Sequence, residues 1–206
     1  MNKLKPIEIA LIFGVVVALL AGRGIAAEQE ELADTMIRLH VIANSDSDRD
    51  QADKLAVRDA ILVLVKEYGE QADTVSEMAD ILESHLPELE AAGEVVLRNR
   101  DSTHSVRASV TDCYFPTKAY SGFALPAGTY RALRLEIGAG EGANWWCVAF
   151  PPLCVGSCAE SVEQAVEAGF FTQEQGEFLA GNETGYILKF RCMELLGQIK
   201  ERLCPG

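Results

Sequence analysis

Three oxygen-bearing side chains at alternate positions, Asn44, Asp46 and Asp48, have the spacing of the first ligands in a calcium-binding loop. The rest of that loop does not follow, because Arg49 stands where it requires glycine and Leu55 where it requires a bidentate glutamate. We therefore interpret the stretch as the acidic N-terminus of a helix, where the helix dipole favours carboxylates. The pattern predicts neither a metal site nor any other cofactor.

A second candidate is the run of glycines at Gly138, Gly140 and Gly142, which follows a predicted strand. A phosphate-binding loop places its anion at the N-terminus of a following helix. Here Trp145 and Trp146 begin another predicted strand instead. The glycines are therefore predicted to form a flexible hairpin connection.

The six cysteines include no Cys-x-x-Cys pair, and the three histidines are scattered, so the sequence does not predict a zinc site. In an oxidising compartment disulfides can form, and Cys147 and Cys154 flank the Pro151-Pro152 turn, which makes them a candidate pair. The spacing alone leaves the pairing open. A buried free thiol is an equal alternative for any one cysteine.

Catalytic motifs are absent from the sequence, including Gly-x-Ser-x-Gly, His-Glu-x-x-His and Asp-Thr/Ser-Gly. His40 alternates with apolar residues and is predicted to face outward from a strand, whereas His85 adjoins an apolar helical stripe and is predicted to pack. His104 opens a strand beside a turn. A triad assembled from distant residues stays open, because triads are defined by geometry. We nevertheless expect a protein without enzymatic activity.

The charge balance excludes two classes of partner. Acidic residues number 31 against 18 basic ones, which gives a net charge of −13. A nucleic-acid-binding protein needs a basic surface to displace the counterions of the phosphates. The same acidity disfavours docking of the folded part on an anionic membrane surface.

The N-terminal segment predicts export. Lys3 and Lys5 precede a continuous apolar run over residues 9–20. Its length is typical of a signal-peptide core, which needs roughly 7–15 apolar residues, although an uncleaved membrane anchor remains the alternative. Both interpretations place the rest of the chain outside the cytoplasm, and both bring the segment into contact with the membrane. We therefore divide the chain into a signal or anchor, residues 1–27, and one exported domain, residues 28–206.

The exported part is predicted to be an α+β domain with a mostly antiparallel sheet packed by helices. Alternation of apolar residues predicts strands over residues 36–43, 94–100, 105–113, 130–137 and 145–150. A helix is predicted up to residue 68, and a second one opens at a Thr74–Glu77 capping box and carries its apolar stripe to Leu89. Two short helices are marked by Ser157 and Thr172. A strand over residues 186–191 and a helix over residues 193–203 close the chain.

Two stretches of this chain resemble the stage II sporulation protein R family. The first, within residues 37–60, contains IRLHVIANSDS, DQA, KL and VRDA, and the second, within residues 115–154, contains FPTKAY, LPAGTY, NWWCV and FPPLC. The resemblance extends over about residues 30–155, and the order and spacing of the pieces match throughout. Residues 155–206 match only in their closing order of strand and helix.

The resemblance implies a signal rather than a catalyst. Members of this family are made in the forespore and exported into the space between the two membranes that separate forespore and mother cell. There they trigger a membrane-embedded aspartic protease, which cleaves the pro-form of the sporulation factor sigma-E. Two alternatives remain, namely an exported cell-envelope hydrolase and a structural module of the envelope. Convergent ionisable groups in a pocket would favour the first, and a large apolar edge the second.

Two surfaces are candidates for contact with the protease. Trp145 and Trp146 are adjacent on a predicted strand, so their side chains point to opposite faces, and an exposed indole is a favoured binding anchor. The alternative is a sheet covered on both faces, which buries both indoles. The other candidate is the polar loop at the strand-to-helix junction, with the strand residues that lead into it. The predicted partner-binding residues are Arg38, His40, Asn44, Ser45, Asp46, Asp48, Trp145 and Trp146.

Overall fold

A six-residue strand, β1 (Ile37–Ile42), runs through the middle of the fold with every residue buried. The computed structural model describes residue 13 and residues 29–120, 123–153 and 158–180. The other strands in these ranges are β2 (Val106–Phe115), β3 (Lys118–Tyr120), β4 (Phe123–Leu125), β5 (Gly128–Ile137) and β6 (Asn144–Phe150). The helices are α1 (Asp48–Gly69), α2 (Val75–Ser84), α3 (Leu86–Arg98), α4 (Cys158–Glu167) and α5 (Gln173–Ala180).

Four of the described strands form one mixed sheet in the order β2-β5-β1-β6. The β2–β5 and β1–β6 pairs are antiparallel, whereas β1 and β5 are parallel. A parallel pair needs a long crossover, and the connection between β1 and β5 contains α1, α2, α3, β2, β3 and β4. The predicted α+β class is confirmed, and the sheet is mixed, with one parallel pairing at its centre.

The two faces of the sheet are covered by different elements, because alternate residues of a strand point to opposite sides. Ile37, Leu39 and Val41 enter a core that they share with α1, α2 and α3. On the opposite face, the β3–β4 hairpin, α4, α5 and the helical residues 29–33 pack over Phe115, Tyr130 and their neighbours. Arg38 and His40 occupy alternating positions of β1 that point to this second face.

The helical layer follows the predicted pattern up to a break at His85. Ser47 accepts a hydrogen bond from the Asp50 amide at the start of α1, and Thr74 and Glu77 form the predicted capping box of α2. The stripe predicted to continue to Leu89 is divided between α2 and α3. Pro87 lacks an amide hydrogen and its ring clashes with the preceding turn, so one helix cannot run through it.

The strand predicted over residues 94–100 is wrong, because these residues lie mostly in α3. Leu89, Gly93 and Leu97 recur every four residues and are buried, whereas Val95 is exposed. That is the helical period, and the short run Val95-Val96-Leu97 resembles a strand only when it is considered alone.

The hairpin predicted at residues 138–142 is also wrong. The strands on either side of this segment, β5 and β6, do not pair with each other, because β1 lies between them. The glycine-containing segment therefore crosses over the end of β1. This crossing brings the glycine-containing segment into contact with the loop that follows β1.

Some predicted elements lie outside the described residues, among them the apolar run 9–20 apart from residue 13, Cys154, Ser157 and the closing strand and helix over residues 186–203. The division at residue 27 therefore stays a prediction. Thr172 caps α5 as predicted, since its hydroxyl accepts a hydrogen bond from the Gln175 amide at 3.1 Å. Within the ranges that the structure describes, no helix combines the length and the apolar character needed to cross a membrane.

Candidate partner-binding site

Arg38 is a fully buried cation in a cage of aromatic rings. Its guanidinium carbon lies 4.3 Å from the ring centroid of Phe115 and 4.9 Å from that of Tyr130. The Nε–H group donates to the carbonyl of Cys147 at 2.8 Å, and Nη2 donates to the Tyr120 hydroxyl at 2.9 Å. Burial lowers the pKa of Arg38, and the two tyrosines act in the opposite direction. Arg38 thus holds the second face together from inside.

Tyr120 connects this cage to the β3–β4 hairpin. Its hydroxyl accepts from Arg38 and donates to the carbonyl of Trp146 at 3.2 Å. Its ring stacks on Phe123 across the hairpin, with ring centroids 4.8 Å apart. The sequence did not indicate this role, because 82 residues separate Arg38 from Tyr120 and only the folded chain brings them together.

His40 was predicted to face solvent, and the structure contradicts this, because its side chain is 7% exposed. Its ring stacks on Trp146 with centroids 3.9 Å apart, and the edge of Phe115 approaches it. Nε2 bonds to Asn144 Oδ1 at 2.8 Å. Burial is the main cause that lowers the pKa of His40, and the nearby Arg134 lowers it further. The second face of this sheet is covered here, which the alternation of apolar and polar residues did not reveal.

The two tryptophans point to opposite faces, as predicted from their adjacency. Trp146 is half-buried against His40 and Phe115 on the second face. Trp145 lies on the helical side, where it is 36% exposed and receives the guanidinium of Arg58 at 4.2 Å from its ring centroid. The alternative in which both indoles are buried does not hold.

Asp50 stabilises the loop after β1 through hydrogen bonds to its carboxylate. One carboxylate oxygen of Asp50 accepts hydrogen bonds from the Asn44 amide at 2.8 Å and from the Ser45 hydroxyl. The other oxygen lies 3.5 Å from Nε2 of His104, a partner that sequence reasoning missed. The Ser45 and Asn44 hydrogen bonds, in that order, hold the pKa of Asp50 below its ordinary value. Asn44 and Ser45 therefore have internal partners.

We expect Asp50→Asn to lower the free energy of unfolding at pH 7 by about 2–3 kcal/mol, since hydrogen bonds to a charged group contribute about 1.5–3 kcal/mol. The folded-state pKa is depressed below 3.8. The stabilisation is therefore present above pH 3.8 and is lost as the pH falls through the folded-state pKa. Urea unfolding of wild type and variant between pH 7 and pH 2.5 measures the difference.

The control for this prediction is Asp48→Asn, which changes an exposed carboxylate in the same turn. It should alter stability by no more than about 0.5 kcal/mol. A difference between wild type and Asp50→Asn that persists undiminished at pH 2.5 would contradict the role assigned to the carboxylate.

The segment that crosses over the end of β1, residues 138–143, also binds the loop after β1. The amides of Ala139 and Ala143 donate to side-chain oxygens of Asn44 at 3.0 Å and Asp46 at 2.7 Å. The amide of Gly142 donates to the carbonyl of Ala43 at 2.9 Å. Asn44 and Asp46 thus each accept a hydrogen bond from a different amide of this segment. Asp48 stays exposed at the start of α1.

The close approach of the Ser45 backbone explains why residue 142 is a glycine. A Cβ atom at this position would lie 2.3 Å from the backbone carbonyl oxygen of Ser45, and a backbone atom cannot swing aside. We expect Gly142→Ala to lower the free energy of unfolding by about 1–3 kcal/mol. Gly140 needs only its left-handed conformation, at φ +67°, and the nearest atom to a Cβ there is 3.7 Å away. Asn tolerates that conformation, so Gly140→Asn is the control and should change stability by less than about 1 kcal/mol. Equal thermal melts for the two variants would refute the close-contact explanation.

The candidate residues thus fall into three groups. Arg38, His40 and Trp146 meet in the aromatic cage; Asn44, Ser45 and Asp46 fasten the loop; Asp48 and Trp145 are exposed. Cys147 is disulfide-bonded, and Cys154 lies outside the described residues, so their pairing stays a prediction. Cys113 is a free thiol whose pKa is raised, chiefly by burial.

A cavity of about 520 Å³ lies at the opposite end of the sheet, between residues 29–34, the start of α2 and the β2–β5 pair. Its lining includes Glu30, Asp34, Asp112, Tyr130 and Arg131. Asp112 accepts a hydrogen bond from Arg131 at 3.4 Å, and Tyr130 donates to the carbonyl of Pro126 at 2.7 Å. Burial raises the pKa of Tyr130 to about 12. Of the named lining residues, Asp112 and Arg131 thus pair with each other, and Tyr130 is bound to a backbone carbonyl outside the lining.

Comparison with known proteins identifies the family. Residues 33–160 match the family model described as stage II sporulation protein R. Over 123 residues the chain is 38% identical to Stage II sporulation protein R of Bacillus subtilis (strain 168). That match covers 60% of this chain and 55% of the relative's length. No solved structure matches the chain.

The matched region coincides with the part of the fold that carries the candidate site. It begins before β1 and ends in α4, so it includes the whole mixed sheet, the helical layer and the aromatic cage. The chain belongs to the stage II sporulation protein R family.

Proposed function

We propose that this chain is an exported signalling protein of endospore formation that activates a membrane-embedded aspartic protease, which then processes pro-sigma-E. The observation that carries the proposal is the family match over residues 33–160, which includes the sheet and the residues that stabilise it. The N-terminal apolar run supports export into the space between the forespore and mother-cell membranes. The net charge of −13 agrees with a protein partner rather than a nucleic acid.

We propose that activation proceeds by binding and that the chain is not itself an enzyme. The three histidines are engaged in internal contacts. His40 bonds to Asn144, His85 contacts the carbonyl of Ile81 at 2.8 Å, and His104 lies beside Asp50. A general base must be within reach of a substrate proton, and the internal partners of these three histidines support a role in the fold instead.

The proposal is tested by co-expressing the chain with the protease and its pro-sigma-E substrate in a host that does not sporulate. Conversion of pro-sigma-E to its shorter form is followed by immunoblot. Conversion should require all three proteins and should be lost when residues 1–27 are deleted, because the signal then stays in the cytoplasm. A protease variant without its catalytic aspartates is the control for host proteolysis. Conversion that is equally strong without the chain, or absent with the exported chain, would refute the proposal.

The same assay separates contact residues from structural ones. Trp145 is exposed, so Trp145→Ala should lower conversion while the melting temperature changes little, if the indole contacts the protease. Asn44→Ala and Asp46→Ala remove hydrogen bonds within the fold and should lower the melting temperature. A loss of conversion in these two variants is therefore evidence of binding only after correction for folding.

A further inference from the structure

Around the buried side chains of His40 and Ile42, several residues of the second face of the sheet are exposed to solvent. The strand register places Arg134 beside Ser109 and His40, with Trp146 next in the same row. The following row holds Arg107, Glu136 and Asn144. Arg107, Ser109 and Asn144 are exposed, and Arg134 and Trp146 are partly exposed. We call the six residues that are not fully buried here, Arg107, Ser109, Arg134, Glu136, Asn144 and Trp146, the open half-face.

The charge of the open half-face is opposite to that of the chain. Arg107 and Arg134 both bind the carboxylate of Glu136, at 3.2 Å and 2.5 Å. Two guanidinium groups share one carboxylate, so the open half-face carries one excess positive charge, whereas the whole chain carries −13. A positively charged patch on a negatively charged protein attracts an anionic group to that patch, while the rest of the surface repels it.

Two buried polar atoms beside this surface lack hydrogen-bond partners within the described structure, Nε of Arg134 and Nδ1 of His40. They belong to residues that face each other in the β1–β5 register. The Nε–H of Arg134 is itself buried, but the side chain is 37% exposed, and a guanidinium that uses Nη2 on Glu136 still has other N–H donors. A carboxylate is the group that accepts from several guanidinium donors at once. The ring of Trp146, stacked on His40, provides an apolar wall beside these donors.

We propose that the open half-face is where the protease partner docks, by seating an aspartate or glutamate side chain of an acidic segment on Arg134 and Arg107 beside Trp146. This inference rests on the proposed function and names the surface that carries it out. An anionic lipid surface has similar chemistry at short range, but a body of charge −13 is repelled by such a surface as a whole. An acidic peptide segment can reach the two arginines without bringing a charged plane against the rest of the molecule.

The test is the co-expression assay with the charge-reversed variant Arg107→Glu/Arg134→Glu. Conversion of pro-sigma-E should fall by at least about tenfold, because two attractive charges become repulsive. The matched control is Arg131→Glu. Arg131 also lies on β5, with a side chain 49% exposed and paired with Asp112 at 3.4 Å, but it faces the opposite side of the sheet. This variant should retain conversion within about twofold of wild type.

Ser109→Glu provides a second variant that leaves the Arg134–Glu136 pair intact, since Ser109 is exposed between the two arginines. It should also lower conversion while the thermal melt stays at the wild-type temperature. Wild-type conversion in folded Arg107→Glu/Arg134→Glu and Ser109→Glu proteins would overturn the inference and leave the proposed function standing. An equal loss in Arg131→Glu would also overturn it, by showing a general effect of charge.

A third arm separates the peptide from the lipid. Vesicles containing phosphatidylglycerol should sediment wild type and Arg107→Glu/Arg134→Glu to the same extent, whereas sedimentation that depends on Arg107 and Arg134 would assign the open half-face to a membrane and overturn the inference. If the exported wild-type chain itself yields no conversion, the proposed function fails, and the inference that depends on it fails too. That outcome differs from failure of the inference alone, in which wild type remains active.

Discussion

Arg38→Ala is expected to lower the free energy of unfolding by about 3–5 kcal/mol, the range seen when a large buried side chain is truncated. The side chain is 0% exposed and lies between two aromatic rings. Its removal leaves a cavity and also deprives Tyr120 and the Cys147 carbonyl of a charged donor. Urea unfolding monitored by tryptophan fluorescence measures the loss, since Trp146 borders the cage through Phe115.

Two control variants locate the cause of this loss. Arg38→Met keeps most of the volume without the charge and should lose much less, because buried ions can often be replaced by apolar groups of similar size. Arg58→Ala removes the same type of cation–aromatic contact, with Trp145, at a partly exposed position. It should lose only about 0.5–1 kcal/mol. A loss below about 1 kcal/mol for Arg38→Ala would show that the cage does not stabilise the second face.

Replacing both Val16 and Leu19 by aspartate is expected to abolish export. A charge at the centre of an apolar membrane segment costs about 2.5–3.5 kcal/mol, so two charges oppose insertion by about 5–7 kcal/mol. Residues 1–35 are fused to a reporter that is active only outside the cytoplasm, and reporter activity is measured. The wild-type fusion should be active and the double variant inactive.

The control fusion carries Val16→Leu and Leu19→Val, which keep the run apolar and should preserve reporter activity. Equal reporter activity in the aspartate variant would mean that this segment does not direct export. The proposed location outside the cytoplasm would then lose its main support, although the family assignment, which rests on residues 33–160, would stand.

Patterns within one element were the most dependable part of the sequence. The period of 3.6 residues predicted α1, and the Thr74–Glu77 box predicted the start of α2, because capping depends on hydrogen bonds three residues apart. The strand prediction for residues 94–100 was wrong because it, too, relied on a local pattern. A window of seven residues is too short to separate a buried helical face from a strand, and the wider spacing from Leu89 to Leu97 decides it.

Order along the chain could not predict order in the sheet. The segment containing Gly138, Gly140 and Gly142 joins two consecutive strands, which favours a hairpin when only the sequence is known. The structure inserts β1 between those strands, because its buried residues need neighbours on both edges and packing on both faces. Only this insertion gives Gly142 its contact with Ser45 and gives Asn44 its bonds to the crossing segment.

By itself the sequence determined the α+β class, the acidic character, the limits of α1, the starts of α2 and α5 and the resemblance to the family, since each depends on residue types and local spacing. The tertiary structure alone decided which polar residues face inward. Arg38 and His40 resemble solvent-facing residues in an alternating strand, and they are buried because β3, β4 and the end of β2 return to cover them. Burial of a strand face depends on which distant elements pack against it, and no spacing within the strand encodes that.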